Sequence, residues 1–380
     1  MIDTVRLTIP DHNFIIVNPE RFDPPATDVL GYTIFGAHGT KKWIQNFGKR
    51  AGRYMPKLTI IKRLIKGGKS VTLNIECSLP KLIFEGSNFD ELEDSDFSNV
   101  VKTLHECVEK MGIKLIGNPI ESAIVSAIHF SKNISFLDYT TVSSVLKYVE
   151  KANISRRLDL NTKRFDNGGS AVYFYAKSHA FVLYDKIQDL KQPKGRGVED
   201  NTFHAQMDIF DEIRRVHRQP LEILRLEYRL LNRVKLKAAL KIIGAPGLTT
   251  FRELFSARLS HKLLQHYWVN IMDSLKYPIL SESLSVEEVV REVLRQQKWH
   301  ATPSKTLQII GCYYGIRELG MRSFNGMFNK YFSVGSIYRT LAQMNDLEFK
   351  QSQKFDPFNH IGKELSEFKP LKMKDLVLPF

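Results

Sequence analysis

Residues 71–79 read VTLNIECSL, a stretch in which apolar and polar side chains alternate without a break. Successive side chains of a β-strand point to opposite faces of the sheet, so this pattern predicts a strand that is buried on one face only. Residues 223–230, ILRLEYRL, alternate in the same way. Two such strands predict a sheet with one apolar face and one polar face.

Two helices and several further strands are predicted around these two stretches. Apolar residues at helical spacing predict a helix that begins near Asp96 and ends at Gly112, and a second from about Thr141 to Ala152. Further strands are predicted at 123–130, 156–161, 171–177 and 180–186, and the Asp-Asn-Gly-Gly run at 166–169 is typical of a hairpin. This order predicts an α+β fold, an antiparallel-rich sheet with both helices on one face and the other face open to a substrate.

The pattern changes to predominantly helical beyond about residue 236. We therefore predict three regions: a sheet-containing domain at 1–235, a helical domain at 236–345 that binds DNA or a partner protein, and a C-terminal tail at 346–380 that is polar and then extended. Thr302 and Pro303 begin one of the predicted helices. A helix-turn-helix or winged-helix DNA reader in this region and plain packing both remain open.

Basic residues are concentrated near the N-terminus. The chain has 380 residues, with 55 Lys and Arg against 41 Asp and Glu, a formal charge of +14, and residues 41–69 contain ten of these cations and no acid. Cations interleaved with aromatic residues predict a nucleic-acid contact surface. The alternative is a solvated basic helix and loop whose aromatic residues anchor it. The candidate DNA contacts are Lys41, Lys42, Lys49, Arg50, Arg53, Lys62, Arg63 and Lys66, with Arg225 and Arg229 on the last strand.

The cysteine content and the apolar segments indicate the compartment. The three cysteines lack CxxC spacing, which disfavours both a disulfide scaffold and a thiolate zinc site. The sequence contains neither a leader-like N-terminus nor an uninterrupted apolar segment of membrane-spanning length. We therefore expect a cytoplasmic protein that has no membrane partner.

Polar residues on the open face of the predicted sheet are candidates for a divalent-metal site. Strand alternation directs Glu76 and Glu227 away from the apolar face, and His129 or Asp159 can supply a third ligand. Side chains from neighbouring strands can meet at one Mg²⁺ or Mn²⁺ ion. The alternative for each residue is an ion pair with a nearby arginine.

The strand at 180–186 contains a candidate nucleophile. Tyr184 and Lys186 share one face of this strand, and a cation beside a phenol lowers the free energy of the phenolate. The same ammonium can bind a phosphate oxygen. A tyrosine on a strand more often serves packing, so these two residues alone do not establish catalysis.

Five segments, in this order, resemble the replication initiators of filamentous phages, the gene II/X type of phage and plasmid replication protein. They are IECSLPKLIFEGSN, SAIHFSKN, RRLDLNTKRFDNGG, HAFVLYDKIQDL and LRLEYRLLNR. The resemblance covers roughly residues 1–235 and extends, more distantly, to the rolling-circle initiators of small staphylococcal plasmids.

The resemblance implies a metal-dependent nicking endonuclease of the rolling-circle type with an HUH-endonuclease or Rep-like fold. Its tyrosine, here Tyr184, would remain attached to the 5′ phosphate of superhelical or single-stranded origin DNA, and the released 3′ hydroxyl would prime synthesis. The implied metal ligands are Glu76, Glu227 and His129, and Lys186 is the implied adjacent cation. The relatives usually have an aspartate where His129 stands, which keeps Asp159 as an alternative ligand.

The partners and the competing functions follow from the same comparison of motifs. No Walker motif is present, so strand unwinding and synthesis would require a helicase and a DNA polymerase of the host. A non-catalytic DNA-binding regulator of replication or transcription is one alternative. A related relaxase or transposase is the other, although such enzymes usually have paired histidines on one strand, and His204 and His217 lie 13 residues apart.

Overall fold

One large antiparallel sheet organises the protein in a computed structural model. The structure describes residues 1–29, 31, 39–46, 54–66, 68–84, 89–152, 154, 161–166, 170–191, 221–275, 285–296, 302–328, 330–331, 334–345, 347 and 356–377. The strands are β1 (Ile2–Pro10), β2 (Phe14–Ile16), β3 (Thr40–Asn46), β4 (Lys57–Ile65), β5 (Gly68–Ser78), β6 (Ile113–Leu115), β7 (Ile124–Phe136), β8 (Asn161–Asp166), β9 (Ser170–Ala176), β10 (His179–Asp185) and β11 (Glu222–Leu230).

Nine of these strands form the main sheet, in the order β3-β4-β5-β1-β7-β11-β10-β9-β8, and β2 pairs with β6 separately. Every pairing in the main sheet is antiparallel. The first strand of the chain therefore lies near the centre, between β5 and β7. The predicted α+β class with a large antiparallel sheet is confirmed, whereas the strands β1, β3 and β4 were not predicted.

Five helices lie between strands of the chain, and the others follow β11. They are α1 (Leu79–Ile83), α2 (Phe97–Lys110), α3 (Pro119–Ser122), α4 (Val142–Val149), α5 (Lys186–Lys191), α6 (Arg233–Ile242), α7 (Phe251–Leu254), α8 (Ala257–Ser274), α9 (Val286–Gln296), α10 (Pro303–Phe328), α11 (Val334–Asn345), α12 (Asp356–Glu367) and α13 (Met373–Val377). The predicted helix boundaries near Asp96 and Thr141 agree with α2 and α4. Thr141 caps α4, because its side-chain oxygen accepts a hydrogen bond from the Ser144 amide.

The core lies on one face of the sheet. Alternate residues of the central strands, such as Leu7, Ile75 and Leu226, are fully buried there, and α2, α4, α6, α8 and α12 contribute side chains to the same hydrophobic cluster. Each such aliphatic side chain stabilises the fold by roughly 1.5–3 kcal/mol. Tyr228 of β11 packs against Tyr267 of α8, so this core continues across the predicted boundary at residues 235 and 236. The division into domains remains a prediction.

The prediction of an extended C-terminal tail is wrong for residues 356–367 and 373–377, because α12 and α13 are helical. Phe358, Ile361 and Leu365 recur at helical spacing and are buried in the main core. An imidazole nitrogen of His360 lies 2.9 Å from the Ser135 carbonyl oxygen of β7. The C-terminal segment is therefore part of the packed structure beside the central strands.

The basic stretch at 41–69 forms strands wherever the structure describes it. Trp43 of β3 and Leu58 and Ile60 of β4 are buried on the core face, whereas Lys42 and Arg63 point to the other face. The alternative of a basic helix and loop is therefore wrong for the described part. The apolar alternation of β4 is weak in the sequence, because Lys62 occupies a core-facing position.

Candidate metal centre and its surroundings

Three central strands bring their polar side chains together on the face opposite the core. In the register of β7 and β11, His129 lies opposite Arg229, and in that of β10 and β11, Tyr184 lies opposite Arg225. Glu227 lies between the two arginines along β11, on the same face. Strand alternation thus gathers Glu227, the imidazole of His129 and the phenol of Tyr184, which the sequence assigned to this face.

Asp3, His129 and Glu227 form a group that can hold a metal ion. One ligand atom from each residue lies within 4.8 Å of the ligand atoms of the other two. Two carboxylates and one imidazole form a donor set that binds divalent cations. His129 and Glu227 therefore lie together as the sequence predicted, and Asp3 is the third member.

Sequence analysis missed Asp3 because a β-bulge reverses its direction. In an undisturbed strand Asp3 would share the face of Val5 and Leu7, which belong to the core. The register between β1 and β7 shifts between Ile2 and Thr4, and such a shift re-aims the side chain at that point. The signal available in the sequence was an acidic residue, near the start of a strand, at a position where strand alternation predicts an apolar one.

Glu76 does not belong to this group. Its carboxylate pairs with Arg6 of the neighbouring strand at 2.6 Å, and β1 separates β5 from β7. A spacing of about 4.8 Å between adjacent strands makes the separation across β1 roughly twice that value. The predicted ligand Glu76 is therefore replaced by Asp3, and the alternative ligand Asp159 lies outside the described residues.

Ion pairs keep both carboxylates of the group charged. Arg225 lies 2.6 Å from Asp3, and Arg229 lies 2.6 Å from Glu227. Burial disfavours the charged form of Glu227, but Arg229 and a hydrogen bond from His129 outweigh burial and hold its pKa well below the usual range. Burial acts likewise on Asp3, and Arg225 lowers the pKa of that carboxyl below its ordinary value. Both acids are therefore anionic ligands at neutral pH.

The donor set fits a cation because charged oxygens remain available. Oδ2 of Asp3 accepts one hydrogen bond from the Thr4 hydroxyl at 2.8 Å, and Oε1 of Glu227 lies 3.3 Å from Nδ1 of His129. Each carboxylate oxygen has two lone pairs, so these contacts do not exhaust them. The side chain of His129 is 20% exposed, whereas those of Asp3 and Glu227 are 13% and 3% exposed, so solvent reaches the group mainly at the imidazole.

Tyr184 lies on the strand adjacent to Glu227, and its side chain is half-buried. Burial raises the pKa of the Tyr184 phenol well above its usual value, and Arg225 only partly offsets this effect. The negative charges of Glu227 and Asp3 raise the pKa further. Neutralising these acids with a bound cation therefore favours the phenolate.

Lys186 lies beside this tyrosine. Its ammonium nitrogen is 5.7 Å from the centre of the Tyr184 ring and 3.8 Å from Asp189. The side chain is only 1% exposed. The helix α5 begins at this residue, and the carboxylate of Asp185 caps it by accepting hydrogen bonds from the Ile187 and Gln188 amides. The predicted cation thus has a fixed position next to the predicted nucleophile.

The remaining predicted DNA contacts divide into accessible and buried cations. Lys42, Arg63 and Lys66 are exposed, Lys41 is half-exposed, and Arg229 is 30% exposed. Lys62 is 1% exposed and donates to the Gly31 carbonyl, and Arg225 is 2% exposed. These two cannot contact a polyanion in this conformation. Lys49, Arg50 and Arg53 lie outside the described residues.

Comparisons with known proteins do not identify a family. No family model matches the chain, and neither the curated proteins nor the solved structures yield a significant match. None of the described helices has the length and apolar composition needed to cross a bilayer. The residues of the polar sheet face are therefore the basis for assigning a function.

Proposed function

We propose that this chain is a metal-dependent DNA nicking and closing enzyme, a rolling-circle replication initiator of the HUH or Rep-like type that resembles the filamentous-phage initiators. Its substrate would be origin DNA, and a helicase and polymerase of the host would act with it in the cytoplasm. One observation supports this proposal: Asp3, His129 and Glu227 form a group that can hold a metal ion, and Tyr184 lies on the neighbouring strand of the same sheet face.

Asp3, His129 and Glu227 would hold the ion, which would be Mg²⁺ or Mn²⁺. Carboxylates suit both ions, and the imidazole favours Mn²⁺. When bound, such an ion polarises a phosphodiester and neutralises the charge that develops on it. The two acids need no change of protonation to serve as ligands, because their arginine neighbours already keep them ionised.

Tyr184 is the nucleophile in this proposal. Its phenol loses a proton, its oxygen forms a bond to phosphorus, and the bond from phosphorus to the 3′ oxygen of the preceding nucleotide breaks. The released 3′ oxygen takes up a proton, and reversal of the same steps closes a strand without ATP. The ammonium of Lys186 favours the phenolate, and Arg229 can donate hydrogen bonds to the phosphoryl oxygens.

A non-catalytic DNA-binding protein is the second candidate, and one observation favours it. Asp3 and Glu227 already have arginine partners at 2.6 Å, an arrangement that also occurs in purely structural ion-pair networks. The exposed cations Lys42, Arg63 and Lys66 would then bind DNA without any chemistry at the sheet centre. A relaxase or transposase with similar chemistry stays possible within the catalytic proposal.

A covalent-adduct experiment distinguishes these candidates. The protein is incubated with labelled single-stranded oligonucleotides that tile a candidate origin, in Mn²⁺, and a tyrosine-linked product is sought by denaturing gel and mass spectrometry. Tyr184→Phe should abolish the adduct and leave DNA binding intact. Tyr173→Phe and Tyr175→Phe are matched controls, because both residues lie on the same sheet face. An adduct that persists in Tyr184→Phe would refute this nucleophile.

A further inference from the structure

The two arginines of the polar face are held very differently. Arg225 is 2% exposed, and besides Asp3 it donates to the Ser131 hydroxyl at 3.1 Å and to the Asn133 side-chain oxygen at 3.3 Å. These acceptors lie on β7, the strand paired with β11. The guanidinium of Arg225 is therefore fixed within the sheet face by several neighbours.

Arg229 has far fewer constraints. Its side chain is 30% exposed, and one of its terminal nitrogens donates to Oε2 of Glu227 at 2.6 Å. Its Nε is shielded from solvent and has no hydrogen-bond partner among the described residues. The guanidinium lies 5.7 Å from the centre of the Tyr173 ring. Rotation away from Glu227 and this ring would thus break one ion pair and one cation–π contact.

Glu227 cannot serve Arg229 and a divalent cation equally well at the same time. The carboxylate that pairs with Arg229 is also a member of the candidate metal group. A second positive charge on the same carboxylate repels the first, so metal ligation weakens the bond to Arg229. A released guanidinium has a planar fork of donors that matches a phosphate group.

We propose that Arg229 is an exchangeable counter-ion that couples metal binding to phosphate binding. It neutralises Glu227 in the metal-free protein, and it turns to a phosphate oxygen of the nucleic acid when Glu227 becomes a metal ligand. This inference rests on the metal site of the proposed function. Because binding free energies are linked, the cation and the phosphodiester must each increase the affinity of the other by the same factor.

The first test measures Mn²⁺ binding by calorimetry, without DNA. Arg229→Gln removes the competing charge, so Mn²⁺ should bind about fivefold more tightly, the equivalent of one partly exposed ion pair. Arg6→Gln is the matched control, since Arg6 is an accessible arginine of the same face that pairs with a carboxylate, Glu76, outside the metal group. The affinity of the control for Mn²⁺ should equal that of the wild type. Unchanged or weaker Mn²⁺ binding by Arg229→Gln would overturn the inference.

The second test measures coupling to a phosphodiester. The dinucleotide TpT is titrated into the metal-free and Mn²⁺-loaded protein, in the Tyr184→Phe background to keep strand transfer out of the measurement. Mn²⁺ should increase TpT affinity, and Arg229→Gln should reduce this increase about tenfold, as expected for one charge-assisted hydrogen bond. If Mn²⁺ increases TpT affinity by the same factor with Arg229 and with Arg229→Gln, the inference is overturned. A wild-type protein that binds no Mn²⁺ yet forms the tyrosine adduct would overturn it while sparing the nicking activity.

Discussion

Two groups of charged residues lie on either side of Asn133, and they differ in how completely their carboxylates are bonded. Glu91 is 4% exposed, and its carboxylate accepts three hydrogen bonds, from the Asn133 amide at 2.6 Å and from the Lys132 ammonium and the Leu371 amide, both at 2.9 Å. Among the described residues, the carboxylate of Glu227 has two donors, Arg229 and His129, and the side chain of His129 is 20% exposed.

The environment of Glu91 explains its structural role. Pairing of β1 with β7 ends near Met1, whose carbonyl accepts the Ser131 amide, and the Asn133 amide is the next donor along that edge. The carboxylate of Glu91 satisfies this amide and also binds the C-terminal segment through Leu371. A carboxylate held by three fixed donors therefore joins chain segments, whereas Glu227, which has two donors and lies beside a partly exposed imidazole, can exchange a partner.

The largest expected effect comes from Glu91→Gln. Removing one charge of the buried pair with Lys132 should lower the free energy of unfolding by about 3–5 kcal/mol, because the ammonium remains buried without its counter-ion. The affinity for Mn²⁺ should remain within about twofold of wild type, because the carboxylate of Glu91 bonds to Lys132, Asn133 and Leu371 and orients no member of the metal group. Urea unfolding and calorimetry measure the two quantities.

Glu93→Gln is the control for that variant. Glu93 also contacts the C-terminal segment, through Lys372 at 3.3 Å, but its side chain is 48% exposed. Its replacement should change the unfolding free energy by no more than about 1 kcal/mol. Equal destabilisation by both variants would contradict the distinction between a saturated buried carboxylate and a surface one.

Glu227→Gln should mainly reduce the affinity for Mn²⁺, whereas Glu91→Gln should mainly reduce stability. Loss of a charged ligand should weaken Mn²⁺ binding by at least about a hundredfold, since a loss of that size already occurs when a residue that only orients a metal ligand is replaced. Adduct formation should fall with it, while far-ultraviolet circular dichroism and cooperative unfolding are retained. If Glu227→Gln binds Mn²⁺ normally, the group of three residues is an ion-pair network and the non-catalytic candidate is preferred.

The pH dependence of stability tests the contribution of the Glu91 charge, and its expected effect is smaller. Burial opposes ionisation of Glu91, but Lys132 outweighs it and lowers the pKa of this carboxyl below its ordinary value. A lowered folded-state pKa gives stability that is fully present above the unfolded-state value of about 4.3 and is lost as the pH falls through the folded-state value. The difference in unfolding free energy between wild type and Glu91→Gln should therefore narrow as the pH falls from 7 to 3. A constant difference would show that Glu91 makes no charge-dependent contribution.

Strand alternation explains which parts of the site the sequence could predict. His129, Tyr184 and Glu227 lie in regular strands, so parity alone assigned them to one face, and the pairing of β7, β11 and β10 joined them. Asp3 depended on a bulge, and no local pattern specifies a bulge without its partner strand. Glu76 had the correct parity, but the insertion of β1 between β5 and β7 is a long-range event that separates it from His129.

The errors in the fold have similar causes. The strand β4 escaped prediction because Lys62 interrupts its apolar alternation, and its ammonium donates to the carbonyl of Gly31, which lies 31 residues away in the sequence. The apolar spacing of Phe358, Ile361 and Leu365 was present in the sequence. It was outweighed by the polar residues around it, and the burial of those three side chains against the central strands decides the helix.

A smaller effect is expected from the accessible cations at the edge of the sheet. Charge reversal at Lys42 and Arg63 should weaken DNA binding and reduce the slope of log affinity against log salt by about 0.7–0.9 per lost phosphate contact. Lys62→Met is the control, because this buried side chain should affect stability rather than the salt dependence. Fluorescence anisotropy over a salt series measures the slope, and an unchanged slope after reversal at both positions would exclude this edge as a phosphate track.

The smallest effect should come from Glu76→Gln, which tests the separation of the two carboxylate groups most directly. Glu76 is 38% exposed and its partner Arg6 is 42% exposed, so solvent screens their ion pair and its loss should cost less than about 1 kcal/mol of stability. Because β1 lies between Glu76 and the metal group, Mn²⁺ affinity should change by less than about twofold, against a hundredfold or more for Glu227→Gln. A loss of Mn²⁺ affinity comparable to that of Glu227→Gln would mean that β5 reaches the ion after all, and it would return Glu76 to the ligand set in place of Asp3.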